Sequence, residues 1–487
     1  MGIDVSFLSI VFAAFLAAGL LVYHNAPLQR RPVILLVLSF LFYATWSVWD
    51  AALLLAVTAA VHGAARLLDQ TPSESRKLRL LTVAITALLV LLVGFKCALL
   101  IASQLNAAWL EGDANAVLWL AAPLGLSYYI FKLLGYLLDV YWGALAARRD
   151  FVSVALYAAF FPQIVSGPIQ RAEDFFTQLD GQRGSDPDRF VLGLRRILFG
   201  LFKKVAIADQ LAVAVASTHG HPLEHSSLEL LLGAYFFSLQ MYADFSGITD
   251  IAIGIGLLFG IRGPENFNRP YFAANLQEFW RRWHMSLTSW LTDYLFAPLR
   301  MTFRNLGSTG LALAIFINMV AVGIWHGPRW TYLVFGCLNG LFMIVSALTL
   351  KRRNQYFKAR PALARWRAWI APLVTFHLVV LTHIFFQAPD LHSALSYLGQ
   401  MLHLLPHGPV AANRADLSSF GLTNARLFQA LAGLVVMETL HWAMSRPDWT
   451  LRFNNSRREL RWVLYYAVIV MVMLSARGTM SFIYAKF

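Results

Sequence analysis

Cysteine is nearly absent: Cys97 and Cys337 are the two thiols in 487 residues. Both fall inside apolar runs and form no C-x-x-C pair, which excludes a disulfide framework and gives no support to a thiol redox centre. Charge is scarce too, at 14% of residues, where a soluble domain carries about 25%. Carboxylates are the scarcer sign, 26 against 40 Lys and Arg. Neither a G-x-S-x-G elbow nor a P-loop occurs, so serine-hydrolase and nucleotide-loop chemistry lack sequence support. Long polar stretches are missing as well. The longest, Gln170 to Arg189, is too short to fold as a soluble domain. The N-terminal MGIDVSFLSIVFAAFLAAGLLVYH has no basic n-region and no clear cleavage site, and reads as an uncleaved first span.

What fills the chain is apolar. Hydrophobic residues make up 58% and the mean hydropathy is +0.57. Many runs approach the length of about 20 residues that crosses a bilayer. The expected fold is therefore an all-α polytopic membrane protein, with about 11–12 transmembrane helices plus re-entrant segments. Candidate spans are 5–23, 33–49, 51–66, 79–101, 117–142, 197–217, 229–260, 309–325, 329–350, 370–387, 425–445 and 462–476. Six segments, 24–32, 66–79, 146–204, 262–304, 351–367 and 446–461, hold 33 of the 40 Lys and Arg. They share one side if the spans alternate, and the positive-inside rule then makes that side cytoplasmic and both termini extracytoplasmic. This accounts for the net charge of +14 without invoking nucleic acid. Arg195, Arg196, Lys203 and Lys204 recur on an apolar pattern and suggest a helix that starts in the cytoplasmic interface.

Three stretches break the apolar rule. Phe160-Phe161-Pro162-Gln163-Ile164-Val165-Ser166-Gly167-Pro168 cannot continue a regular helix, and reads as a re-entrant loop or a kinked interfacial segment. Gln240 to Asp250 lies inside an apolar span and places Asp244 near mid-membrane. A carboxylate there is either a functional group or a hydrogen-bonded helix-packing device. The third runs ENFNRPYFAANLQEFWRRWHMSLTSWLTDYLF from Glu265. It has too many charges to span, and reads as one re-entrant or interfacial helix with Glu278 paired to Arg281 or Arg282, and His284 sharing a face with Trp280 and Arg281. It either lines an entrance or anchors the protein at the interface. His326 ends the apolar run from Leu311 to Trp325, at the apex of a two-span hairpin and far from His284. A neutral imidazole there could take a proton from a hydroxyl, or serve only structure. His219, His221 and His225, with Glu224, match no zinc spacing, and no metal is assigned.

In order, FFPQIVSGPIQR, QMYADFSGITDIAIGIG, ENFNRPY, EFWRRWHMSLTSWLTDYLF and GIWHG resemble the motifs of the membrane-bound O-acyltransferase (MBOAT) family. Within it they resemble the bacterial branch of alginate O-acetylation and teichoic-acid D-alanylation. The resemblance covers about 117–350 and treats 1–487 as one membrane domain, with further C-terminal helices and a tail over 370–487. It implies a funnel or tunnel joining a cytoplasmic acyl donor to an acceptor, with His326 as the catalytic histidine and His284 as a second, cytoplasm-side histidine. Asp244, Arg281, Arg282, Trp283, Trp325 and Ser166 are implied in shaping the chamber. The ending Phe482-Ile483-Tyr484-Ala485-Lys486-Phe487 is similar to tails in which a tyrosine is proposed to relay the acyl group, so Tyr484 is a candidate carrier; the plain alternative is an aromatic anchor. After Phe296 the chain reads Ala297-Pro298-Leu299-Arg300, where alginate-type members carry Gly-Gly-Asn-Arg, which brings it closer to the D-alanylation branch.

The function this implies is inner-membrane transfer of an acyl group, acetyl from acetyl-CoA, for O-acylation of an exported or cell-envelope polysaccharide. No bound cofactor is implied. The partners implied are an extracytoplasmic acyltransferase of SGNH type, a polysaccharide acceptor and a cytoplasmic acyl carrier. Alternatives are D-alanyl transfer from a phosphopantetheinyl carrier protein to teichoic acid or, in a different class, a histidine-gated transporter. Against a transporter, no internal repeat is seen.

Overall fold

The computed structural model describes residues 7–104, 122–181, 184, 186–402, 420 and 423–476. These are helical, with no strand among the described residues. That is the outcome expected where lipid offers the backbone no hydrogen-bond partner and each segment must satisfy its own amides. Seven helices are long and apolar enough to cross a membrane by length and composition: Val48–Gln70, Glu74–Ala98, Ser227–Leu258, Arg304–His326, Trp330–Lys358, Pro361–Gln387 and Asn424–Met444. Other expected spans take shorter or interrupted forms. Ile10–Asn25 has 16 residues and Arg31–Ala44 has 14. The 197–217 stretch is crossed by a π-helical segment, Lys203–Ala208.

Between the second and third expected spans, Ser47 starts the new helix. Its hydroxyl accepts from the Asp50 amide at 3.1 Å and caps Val48–Gln70.

The chain forms two compact units. The described residues of the first fall within Met1–Ile197 and Thr249–Pro264. Here the FFPQIVSGPIQR segment makes one short helical turn, Phe161–Ile164, and then leaves helical geometry. Every residue from Phe160 to Gln170 is buried, Ser166 completely. Non-helical backbone inside an apolar protein needs internal partners, and the glutamines of this segment also satisfy a buried cation. Lys132 Nζ donates to Gln163 Oε1 at 3.0 Å and lies 4.6 Å from the Tyr157 ring centroid. Gln163 in turn donates to Gln170 Oε1 at 2.7 Å. Elsewhere in this unit Gly254 meets Gly193: a Cβ added at Gly254 would lie 2.7 Å from the Gly193 carbonyl oxygen. Small residues there let two helices touch backbone to backbone, and Arg196 closes the same contact by pairing with Asp250 at 2.7 Å.

The described residues of the second unit fall within Leu198–Ile248 and Glu265–Ile483. Its tightest element is the hairpin of Gly307–His326 and Trp330–Lys358. A Cβ at Gly323 would lie 2.3 Å from the Tyr332 carbonyl, and one at Gly336 2.6 Å from the Met319 carbonyl. That close approach fixes where the hairpin presents His326.

Lys203 and Lys204 do not lie in the interface, as their spacing suggests, but inside the unit, each 2% exposed. Lys203 Nζ sits 4.3 Å from the Phe199 ring centroid. Lys204 Nζ is 2.8 Å from both Asp209 Oδ1 and Asp244 Oδ1. A buried cation is tolerable only with its countercharge at hydrogen-bond distance, and removing one partner of such a set costs about 3–5 kcal/mol. Lys204→Met should therefore lower unfolding stability by about 3–5 kcal/mol, read by thermal unfolding in detergent. Adding Asp244→Asn to that variant should recover part of the loss, because one of the two uncompensated carboxylates is gone.

Candidate functional site

The stretch from Glu265 builds the site's floor. Asn275 caps Leu276–Arg282 by accepting from the Glu278 amide at 3.0 Å, and Glu278 reaches back to the Ala274 amide at 2.8 Å. This reciprocal arrangement satisfies amides that a helix start leaves open. Glu278 also pairs with Arg282, whose Nη1 lies 3.5 Å from the Arg269 carbonyl oxygen, while Arg281 is exposed.

The expected single helix through His284 is broken. Trp283 is extended and His284 adopts φ 42°, ψ 53°, before a new helix runs Met285–Leu291. His284 and Arg269 are the two non-glycine residues with positive φ among the described residues, a conformation that survives only where neighbours enforce it. The enforcing segment is ENFNRPY. The Asn266 carbonyl accepts from the Met285 amide at 2.9 Å, Asn266 Oδ1 accepts from the Ser286 amide at 3.1 Å, and the Asn268 amide donates to the Arg282 carbonyl at 3.0 Å. The face shared by Trp280, Arg281 and His284 is lost with the helix.

Asn266 also sets the imidazole. Its Oδ1, identified as oxygen by the Ser286 amide it accepts, lies 3.4 Å from His284 Nδ1. That places the proton on Nδ1 and the lone pair on Nε2. His284 is 1% exposed and outside the spanning helices; burial lowers its pKa to about 3, so the ring is neutral across the physiological range.

His326 is the last residue of its helix and is 5% exposed. Aromatic rings enclose it: Phe386 edge-on at 4.8 Å, Trp325 at 4.7 Å, Tyr332 at 5.9 Å and Phe335 at 6.0 Å between centroids. Trp325 also meets His284 at 5.9 Å. The two histidines, expected at separate stations, thus share one indole as a neighbour. The hairpin turns back so that its histidine packs beside the broken segment. The Phe245 ring also stands edge-on to His284 at 4.7 Å. Phe245 follows Asp244, so the Lys204–Asp244 ion pair sits next to the residue that walls the imidazole.

The remaining expected site residues separate. Trp283 belongs to an aromatic cluster, stacked on Phe279 at 5.6 Å and tilted against His383 at 5.9 Å. Ser166 belongs to the first unit, and Tyr484 lies outside the described residues. Asn266, Phe245, Lys204 and Phe386 were not named as site residues from the sequence. Asn266 stood inside a quoted motif and Lys204 inside a basic pattern, whereas Phe245 and Phe386 carry no signal beyond being aromatic. His219, His221 and His225 go to separate partners: the Tyr397 ring at 4.6 Å, Glu224 at 3.7 Å, and Ser217 with Glu229 at 3.0 and 3.4 Å. Among the described residues no group of three or more His, Cys, Asp or Glu could hold a metal ion. What the arrangement offers chemically is a pair of buried imidazoles in an apolar, aromatic enclosure. Asn266→Ala should cost about 1–3 kcal/mol in detergent thermal unfolding, because it strands the buried Ser286 amide. Exposed Arg281→Ala should change stability by less than about 0.5 kcal/mol.

Comparison with known proteins bears on this enclosure. The family described as MBOAT, membrane-bound O-acyltransferase, matches residues 75–382. The chain is 33% identical over 508 residues to the probable alginate O-acetylase AlgI of Pseudomonas putida, covering 97% of this chain and 98% of that protein. It is 31% identical over 426 residues to the peptidoglycan O-acetyltransferase of Helicobacter pylori, covering 80% and 78%. It is 29% identical over 283 residues to the teichoic acid D-alanyltransferase of Bacillus subtilis, covering 55% and 69%.

Proposed function

Because this chain belongs to the membrane-bound O-acyltransferase family and is a multi-pass membrane O-acyltransferase, we propose that it transfers acetyl from acetyl-CoA towards hydroxyls of an exported or cell-envelope polysaccharide. The observation that carries the site assignment is the enclosure of His326 by Trp325, Tyr332, Phe335 and Phe386, with Trp325 shared by His284. The near-complete coverage of the alginate-type relative, against 55% of this chain for the D-alanyltransferase, supports acetyl over D-alanyl.

In this reading His326 is the general base. Its imidazole takes the proton of the acceptor hydroxyl as the oxygen attacks the thioester carbonyl. A C–O bond forms, the C–S bond breaks, and the proton passes to the departing thiolate. An apolar enclosure suits this step because it keeps water from competing for the acyl group. His284, with its lone pair on Nε2, is poised to accept a hydrogen bond from donor or acceptor. Arg281, Arg282, Trp283 and Asp244 are supporting residues of the chamber: Asp244 acts through the Phe245 wall, and Trp283 and Arg282 through the fold of the broken segment. The enzyme sits in the inner membrane with its basic segments cytoplasmic and both termini outside. It works with an extracytoplasmic SGNH-type transferase.

Tyr484 is the acyl relay in this scheme. Its phenol oxygen takes the acetyl group by the same step and passes it to the extracytoplasmic partner. Reconstituted enzyme should incorporate label from acetyl-CoA and not from a D-alanyl-loaded carrier protein; the reverse would move the chain to the D-alanyl alternative. His326→Ala should lower acyl transfer about 10²–10⁴-fold while expression and donor binding persist. Retained transfer in that variant would remove His326 from the chemistry. Mass spectrometry of the intact protein should find an acetylated species that Tyr484→Phe abolishes. Equal trapping in that variant and the parent would eliminate the relay.

A further inference from the structure

The first unit holds a cavity of about 640 Å³. Its polar wall carries Arg31, Arg189, His24 and Asp186, and its apolar wall includes Tyr23, Phe190 and Phe259. Arg31 is 7% exposed. Its Nε and Nη2 donate to the Ala26 and His24 carbonyls at 3.4 and 3.3 Å, and its guanidinium lies 5.1 Å from the Tyr23 ring centroid. Two of five N–H groups are thereby engaged, and the guanidinium is held in place before any ligand arrives. Arg189 donates from Nη1 to the Gly260 carbonyl at 2.9 Å. Asp186 is the one carboxylate among the described residues of the wall. It accepts from the Asp188 and Arg189 amides, both at 3.1 Å, and lies 3.7 Å from Arg189 Nε. Two guanidinium charges against one carboxylate leave the wall net positive. His24 Nε2 is engaged by the Leu258 carbonyl at 3.0 Å.

The geometry points to this cavity as a binding site for a phosphate ester carried on an apolar stem. Guanidinium groups fixed in advance recognise phosphate oxygens by charge-assisted hydrogen bonds. The volume lies within the range of about 300–1,000 Å³ usual for small-molecule sites, far beyond what inorganic phosphate needs, and the aromatic wall wants apolar surface from the same ligand. Arg31 and Arg189 also belong to two of the basic segments that flank apolar helices, the depth at which phospholipid headgroups lie. The ester comes from one of two sources, an anionic phospholipid or the phosphates of coenzyme A.

Full-length protein in detergent separates these sources. Phosphatidylglycerol, coenzyme A and phosphate-free diacylglycerol are titrated in turn and read by native mass spectrometry. Phosphatidylglycerol or coenzyme A should bind saturably, and Arg189→Gln should weaken whichever binds about tenfold, the loss of one hydrogen bond to a charged group. Diacylglycerol binding should be unaffected by that substitution, and exposed Arg76→Gln should change none of the three. Arg189 is half-exposed, so an unchanged thermal midpoint is expected and separates lost binding from lost fold. Weakening of phosphatidylglycerol assigns the site to lipid, and weakening of coenzyme A to the nucleotide. Phosphate ligands that bind Arg189→Gln as tightly as the parent, or fail to saturate the parent, overturn the proposal.

Discussion

An apolar helix that carries a carboxylate needs a cation at the same depth, because water is not there to solvate it. In the second unit that cation is Lys204, shared between Asp244 and Asp209. The price of the arrangement is geometric: Lys204 stands in a π-helical segment, Lys203–Ala208. The wider i→i+5 turn re-aims side chains, and such segments recur at functional sites. Once the pair is formed, Asp244 is anchored, and with it Phe245, whose ring stands against His284.

His284 is held by backbone as well. Asn266 accepts the amides of Met285 and Ser286 and so stabilises the break at which His284 takes its left-handed conformation. The third support is the hairpin, whose glycine-mediated contact sets the helix end that bears His326. Ion pair, clasp and hairpin are independent devices, and Trp325 is where two of them meet. An enclosure assembled this way is rigid without exposed charge, which suits a reaction that must exclude water from a thioester. The first unit follows the same rule with different groups, using glutamines and a tyrosine ring to satisfy Lys132.

Much of this was legible in advance, and the reasons differ by feature. The helical membrane class follows from hydropathy, which is local. The break at FFPQIVSGPIQR follows from proline and glycine, which are local too. Asp244 and His326 stood out because a polar group in an apolar run is anomalous wherever the chain goes. The partner of Asp244 was less accessible: Lys204 looked like an interfacial cation, since the same basic pattern suits a helix that snorkels to the headgroups. The break at His284 was hidden as well, because Glu278 and Arg282 satisfy helical spacing on their own side of it.

By itself the sequence determined the all-helical membrane architecture, the loops that carry the positive charge, the family motifs and the two histidines as candidates. These rest on composition and on neighbours along the chain. The tertiary structure alone decided that His284 and His326 share Trp325, that Asn266 clasps the break between two helices, and that Lys204 lies between two aspartates. Each joins residues 18 or more positions apart or depends on a conformation imposed from outside the segment. A helical period cannot encode such a meeting, because packing of remote elements sets it.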